Sequence, residues 1–230
     1  MPIKTATLLR CGVLAALCWS VADMLLVGFV PHPELYPRLL ALDAQLAGDG
    51  DFAALMLDAS PARLFFGVIP ATFSLIGYLA ACAGLARLLT ASRTSHLALA
   101  LLFGSYALLP LAHAGFYYLG HSAQTLLAVD DAAVPLLLAQ YNAFYQLLQL
   151  HWLAAIALAA AGWLLVTVQI ARRRSTLPRS FALLTPLPLA VLIGFGCSAF
   201  PTAPLAALLG GATFNLAQLV FYAAVCWRLR

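Results

Sequence analysis

The chain has 230 residues, of which 64% are hydrophobic and only 9% charged, and its mean hydropathy is +0.96. A soluble domain carries about 45–50% apolar and about 25% charged residues, so the polar groups here cannot coat a water-soluble core and a soluble protein is excluded. The net charge of +4 does not imply nucleic acid, because the bases sit in short runs beside apolar segments without interleaved aromatics.

A bilayer core of about 30 Å is crossed by about 20 apolar residues of helix, and six stretches qualify, at about 11–30, 61–89, 96–119, 143–170, 180–200 and 205–227. The expected fold class is therefore all-α: a single integral membrane domain over 1–230, a polytopic bundle of six transmembrane helices. Lys4 and Arg10 before the first run resemble a signal peptide, but no A-x-A site follows and the apolar run continues to Val30, which predicts a retained first span. Leu35, Leu39, Leu42 and Leu46 then recur at helical spacing before the Gly48-Asp49-Gly50-Asp51 breaker, predicting a short amphipathic helix on the outer surface. Ser60-Pro61, Ser95 and Thr202-x-Pro204 supply helix-starting chemistry for the second, third and sixth segments. A second outer interfacial helix is expected from Asp131 to about Tyr141, ahead of the fourth span, with one long projecting helix as the alternative. In the fifth, Pro186 and Pro188 followed by Gly194 and Gly196 predict a kink. Cys18, Cys82, Cys197 and Cys226 fall inside these runs and Cys11 at the start of one, with no CxxC pair, which suits small core residues rather than disulfides or thiolate metal ligands.

The basic residues set the expected orientation. Lys4, Arg10, Arg87, Arg93, Arg172, Arg173, Arg174, Arg179, Arg228 and Arg230 all share one side. Only Arg38 and Arg63 fall on the other, with Glu34, Asp43, Asp49, Asp51, Asp58, Asp130 and Asp131. By the positive-inside rule this predicts a multi-pass protein of the cytoplasmic membrane with both termini in the cytoplasm.

Ionisable groups inside a span are costly and usually face the bundle interior for a reason. Asp23 in the first span, His113 in the third and His151 in the fourth each lie roughly 10–12 Å below the expected outer end, with Asn215 of the sixth at roughly 15 Å. Four segments thus offer polar groups to one layer in the outer half of the bilayer. Asp23, His113 and His151 are the candidate acid-base residues. Trp19, Tyr78, Tyr106, Tyr117, Tyr145, Gln149, Trp152 and Asn215 are the candidate ligand-binding residues, giving an aromatic-walled pocket with few polar groups, suited to an apolar ligand. On the fourth span Asn142, Tyr145, Gln149 and Trp152 form one stripe, and His151 lies on a different face. Ala155, Ala159 and Gly162 make a small-residue stripe of the kind that packs helices closely.

Ala22-Asp23-Met24 with Gly28, His113-Ala114-x-Phe116, Leu177-Pro178 with Pro186, Gly210-Gly211 and Asn215-Leu216-Ala217 resemble an uncharacterised bacterial family of six-helix membrane proteins, a domain of unknown function, across nearly the whole chain. The resemblance implies bacterial membrane localisation and supplies no activity. The pattern itself favours a protein that binds or acts on a lipid or other hydrophobic small molecule by isomerase-, cyclase- or hydrolase-type acid-base chemistry, with membrane lipids as its other partners. No cofactor is expected. Zinc on Asp23, His113 and His151, or haem between His113 and His151, stand as weaker alternatives, since no HxxxH or HExxH spacing supports a metal. A proton-coupled transporter and a structural membrane subunit complete the alternatives; residues 71–88 and 212–229 share similar sequence, but their placement fits no inverted repeat.

Overall fold

The computed structural model describes residues 3–48 and 50–230; Asp49 lies outside the described residues. Among the described residues the fold is all-α, with one isolated bridge between Leu89 and Ser175. The helices are α1 (Thr5–Val27), α2 (Pro37–Leu42), α3 (Gly50–Leu57), α4 (Pro61–Ala86), α5 (Arg93–Ala128), α6 (Val134–Ala171), α7 (Pro186–Ser198), α8 (Pro204–Gly211) and α9 (Thr213–Arg228).

Four of these, α1, α4, α5 and the segment ending in α6, are long and apolar enough to cross a membrane. A fifth joins them if α8 and α9, bent by 69° where they meet, count as one broken span. The expected fifth span over 180–200 takes a different form. Residues Arg179–Ala182 make a 3-10 turn, and α7 begins only at Pro186 and has 13 residues. Pro186 occupies the first helical turn, where a missing N–H costs nothing. The proline therefore starts this helix instead of kinking it.

The expected break near residue 141 is also absent. After a 3-10 turn at Asp131–Ala133, α6 runs unbroken for 38 residues, because Pro135 sits in its first turn and no glycine interrupts it before Gly162. With the 36 residues of α5 it forms an antiparallel hairpin about 55 Å long, well beyond a bilayer core of about 30 Å. The end where α5 turns into α6 is covered by the segment between α1 and α4. Leu39, Leu46 and Met56 pack there against Leu119, Leu126, Leu138 and Tyr141. The leucine pattern before Gly48 becomes a 3-10 turn, the six-residue α2 and a second 3-10 turn, with Leu39 and Leu46 turned inward and Leu35 outward.

Neighbouring helices follow the order α6, α5, α4, α1, α9, α7, and the sparser contact of α7 with α6 closes the ring. Two seams are drawn tight by small residues. A Cβ on Gly77 of α4 would stand 2.5 Å from the Cys11 carbonyl of α1, so only glycine admits that crossing. The Ala155-Ala159-Gly162 stripe lies buried on α6, where Ser105 of α5 donates to the Ala155 carbonyl at 2.8 Å. One end of the ring gathers the basic segments: Arg87 donates to the Ile3 carbonyl, the Thr90 N–H to the Arg174 carbonyl and the Thr176 N–H to the Leu88 carbonyl. The other end carries the acidic loops, where Arg38 pairs with Asp131 at 3.0 Å.

Candidate functional site

Polar groups from four helices meet beside the α8–α9 bend. Asn215 lies in the first turn of α9, which the bend points toward α1, and its Nδ2 donates to Asp23 Oδ2 at 2.7 Å. The amide is held in that orientation from behind, because Tyr78 of α4 donates its hydroxyl to Asn215 Oδ1 at 2.6 Å. Gln218, one turn further along α9, directs its Nε2 at the same oxygen from 3.4 Å and accepts from the Tyr106 hydroxyl at 2.5 Å. The Tyr106 hydroxyl lies 3.3 Å from that of Tyr222. A continuous polar chain therefore runs from the aromatic core to the Asp23 carboxyl, and each member has a partner, as buried polar groups require.

His113 of α5 completes the cluster. Its Nε2 is 2.6 Å from the Gly67 carbonyl of α4 and its Nδ1 is 3.7 Å from Asp23 Oδ1. A carbonyl only accepts, so Nε2 carries a hydrogen, and Nδ1 is the ring nitrogen turned to the carboxyl. Trp19 packs on the imidazole with ring centroids 4.7 Å apart. Asp23 keeps 19% of its side-chain surface accessible against 4% for His113, so the carboxyl is the member of the pair that faces open space.

That space is a cavity of about 550 Å³ between α1, α5, α6, α7 and the α8–α9 bend. Its size falls within the roughly 300–1,000 Å³ of small-molecule sites. Trp19, Asp23, His113, Tyr145, Gln149, Trp152 and Asn215 all line it, with Leu109, Phe116, Ile156 and Phe214 supplying much of the apolar wall. Gln149 and Trp152 are largely exposed and stand at its mouth. A Cβ on Gly211 would meet the Val27 carbonyl at 3.0 Å, so the bend presses directly on the outer end of α1.

Other predicted site residues lie elsewhere. Tyr78 and Tyr106 stand behind the cavity, stacked with ring centroids 4.7 Å apart, and act on it only through Asn215 and Gln218. Tyr117 packs on His121 and does not line the cavity. His151 turns its Nδ1 to the Leu147 carbonyl one turn back on its own helix, 2.8 Å away, and also lies off the cavity. The Asp23–His113–His151 set therefore does not converge. Among the described residues no group of three His, Cys, Asp or Glu side chains could hold a metal. Gln218 and Tyr222 were missed as members of the polar chain. Gln218 had a signal, a second amide three residues after Asn215 on an otherwise apolar helix, which places both on one face.

At the other side of Leu55 lies a second cavity of about 750 Å³, lined by Gly28, Phe29, His32, Asp58, Arg63, Thr202 and Leu208 among others. Tyr36 donates its hydroxyl to Asp58. Partial burial, reinforced by that carboxylate, pushes the Tyr36 phenol up to about 12. The His32 ring, 2.9 Å from Glu34, holds the glutamate below the usual carboxylate range.

An all-α chain with several helices able to cross a membrane, a buried carboxyl–imidazole pair and an apolar cavity defines a class of protein but not an activity. The family model described as "Family of unknown function (DUF6796)" matches residues 1–230, and the chain belongs to that family. No curated protein and no solved structure matches it.

Proposed function

We propose that this is a multi-pass protein of the cytoplasmic membrane that takes a lipid or other hydrophobic small molecule into the cavity and acts on it by proton transfer at Asp23 and His113. In this reading α7 and the α8–α9 pair complete six crossing segments, both termini are cytoplasmic, and the cavity lies in the outer half of the bilayer. The supporting observation is the pairing of an apolar, aromatic wall with a carboxyl–imidazole couple at its inner surface. With Nε2–H committed to Gly67, the couple holds one transferable proton, either as carboxylic acid beside neutral imidazole or as carboxylate beside imidazolium. The separation of 3.7 Å exceeds a direct hydrogen bond, so a ligand group that approaches both from the cavity side can take a proton from one partner and return one to the other. Isomerisation, cyclisation and hydrolysis all use that exchange. Asn215 keeps Asp23 Oδ2 engaged and leaves Oδ1 for the reaction.

The broken α8–α9 helix beside the couple favours a second reading, proton-coupled transport, because discontinuous helices build many transporter sites. The two differ in whether the ligand is changed chemically. Native mass spectrometry of protein released from mild detergent tests the shared premise. The wild type is expected to carry an apolar adduct, and Ala190→Phe, which fills the cavity from α7, to lose it; an Asp23→Asn variant is expected to keep the adduct unconverted. A wild type without adduct, or an adduct indifferent to Ala190→Phe, contradicts a ligand cavity.

A further inference from the structure

Two arginines lie at the acidic end of the ring and they are treated differently. Arg38 is paired with Asp131 at 3.0 Å and donates to the Leu127 carbonyl. Arg63 makes no ion pair among the described residues. Its Nη2 donates to the Leu55 carbonyl at 2.7 Å, and its guanidinium stands 4.1 Å from the centre of the Phe29 ring. Neither Nη1 nor the buried Nε makes a hydrogen bond among the described residues, so donors are unspent on a guanidinium that lines the second cavity. Asp58 lines the same cavity, with one donor from Tyr36 and, among the described residues, no cationic partner within salt-bridge distance. Asp58 and Arg63 attract each other across the pocket without forming an ion pair, and a cation and an anion held apart in this way complement a head that carries both charges.

The position of this pocket relative to the first cavity matters as much as its charge. Leu55 lines both. Val27 of α1 lines the first and its neighbour Gly28 the second, and Gly28 stands only five residues, about 7 Å along the helix, beyond Asp23. A molecule whose head sits at Arg63 and whose chain displaces or skirts Leu55 would extend into the apolar cavity toward the Asp23–His113 couple.

We infer that the ligand is a phospholipid with a zwitterionic, primary-amine head, its phosphate held by Arg63, its ammonium by Asp58, and one chain lying in the cavity beside Asp23 and His113. This rests on the ligand reading proposed above and names its substrate class. Arginine suits phosphate because its planar fork presents paired donors to two oxygens. Asp58 selects among phosphate heads: it attracts a primary ammonium, offers no hydrogen bond to a quaternary one, and repels a head with negative charge alone.

Delipidated protein in detergent, titrated with short-chain phosphatidylethanolamine, phosphatidylglycerol and phosphatidylcholine and with free phosphoethanolamine, tests the assignment. Phosphatidylethanolamine is expected to bind at least about tenfold more tightly than phosphatidylglycerol. Free phosphoethanolamine is expected to be weaker still by about a hundredfold, since it has no chain to bury. Arg63→Gln should weaken every phosphate lipid, while Asp58→Asn should abolish the preference for ethanolamine, weakening phosphatidylethanolamine and strengthening phosphatidylglycerol. A wild type that prefers phosphatidylglycerol overturns the proposal, as does an Arg63→Gln variant, folded by its thermal transition, that binds as the wild type does. Equal binding of all lipids that Ala190→Phe still blocks overturns the head assignment alone and leaves the cavity reading standing.

Discussion

Toward the end of the ring that gathers the basic segments, Trp163 of α6 stands edge-on to Phe221 of α9 with centroids 5.2 Å apart, and Tyr78, Tyr106 and Tyr222 fill the centre behind them. Toward the other end, the same two helices diverge, and between Ile156 and Trp152 on one side and Phe214 on the other lies open volume. At the acidic-loop end the ring is open on this side because α9 stops at its bend with α8, and α7 is short and, among its residues, buries only Pro186. Small residues at the cavity edge, among them Ala159, Gly210 and Gly211, do not refill it. Interiors normally pack to crystal-like density. A protein that fills the α6–α9 side at one end with bulky rings and leaves it open at the other, beside the packed cluster around Leu64 and Tyr141, has separated the part that holds the fold from a part that can receive something.

The largest expected effect concerns which end faces outward. In a background lacking the native thiols, a cysteine at the exposed position of Ala44 should react with an impermeant reagent in intact cells and one at Thr176 should not; the reverse pattern would invert inner and outer halves. The two halves should also differ in stability. Trp163→Ala empties the filled half and should cost about 3–5 kcal/mol, whereas Trp152→Ala, at a residue 43% exposed, should cost under about 1 kcal/mol. Equal shifts in detergent unfolding would erase the distinction. At the junction, Asn215→Ala strips partners from Asp23 Oδ2 and the Tyr78 hydroxyl and should cost about 1–3 kcal/mol. Smallest is Tyr78→Phe, which removes only the donor that orients the Asn215 amide and should cost about 0.5–1.5 kcal/mol; a larger loss would make Tyr78 part of the packed half.

The cost of burying charge drew attention to Asp23 and His113, and the two stand in one cluster. The same cost says nothing of azimuth. His151 shares the expected depth but is satisfied by a carbonyl of its own helix, an outlet open to any polar side chain on a helix and invisible to hydropathy. Helix phase was the better guide there, because Tyr145, Gln149 and Trp152 all reach the cavity as one stripe. Apolar runs marked the long helices but not the backbone breaks. The sharpest bend follows Gly210-Gly211, where close approach to Val27 dictates the turn, while the proline pair expected to kink a helix begins one. Bilayer thickness favoured dividing α6 near Tyr141 over one long projecting helix; the long helix is what forms, and the segment between α1 and α4 covers its projecting end.

The claim that the open side is a receiving chamber is tested most directly by photocrosslinking a diazirine-bearing phospholipid to the protein in bicelles and mapping the adducts by mass spectrometry. Adducts are expected on the cavity wall, at Leu148, Ile156 and Phe214, and should vanish from those positions in Ala190→Phe while persisting on lipid-facing residues such as Phe73 and Phe195. Adducts confined to the outward-facing residues of the wild type, with none on the cavity wall, would contradict it.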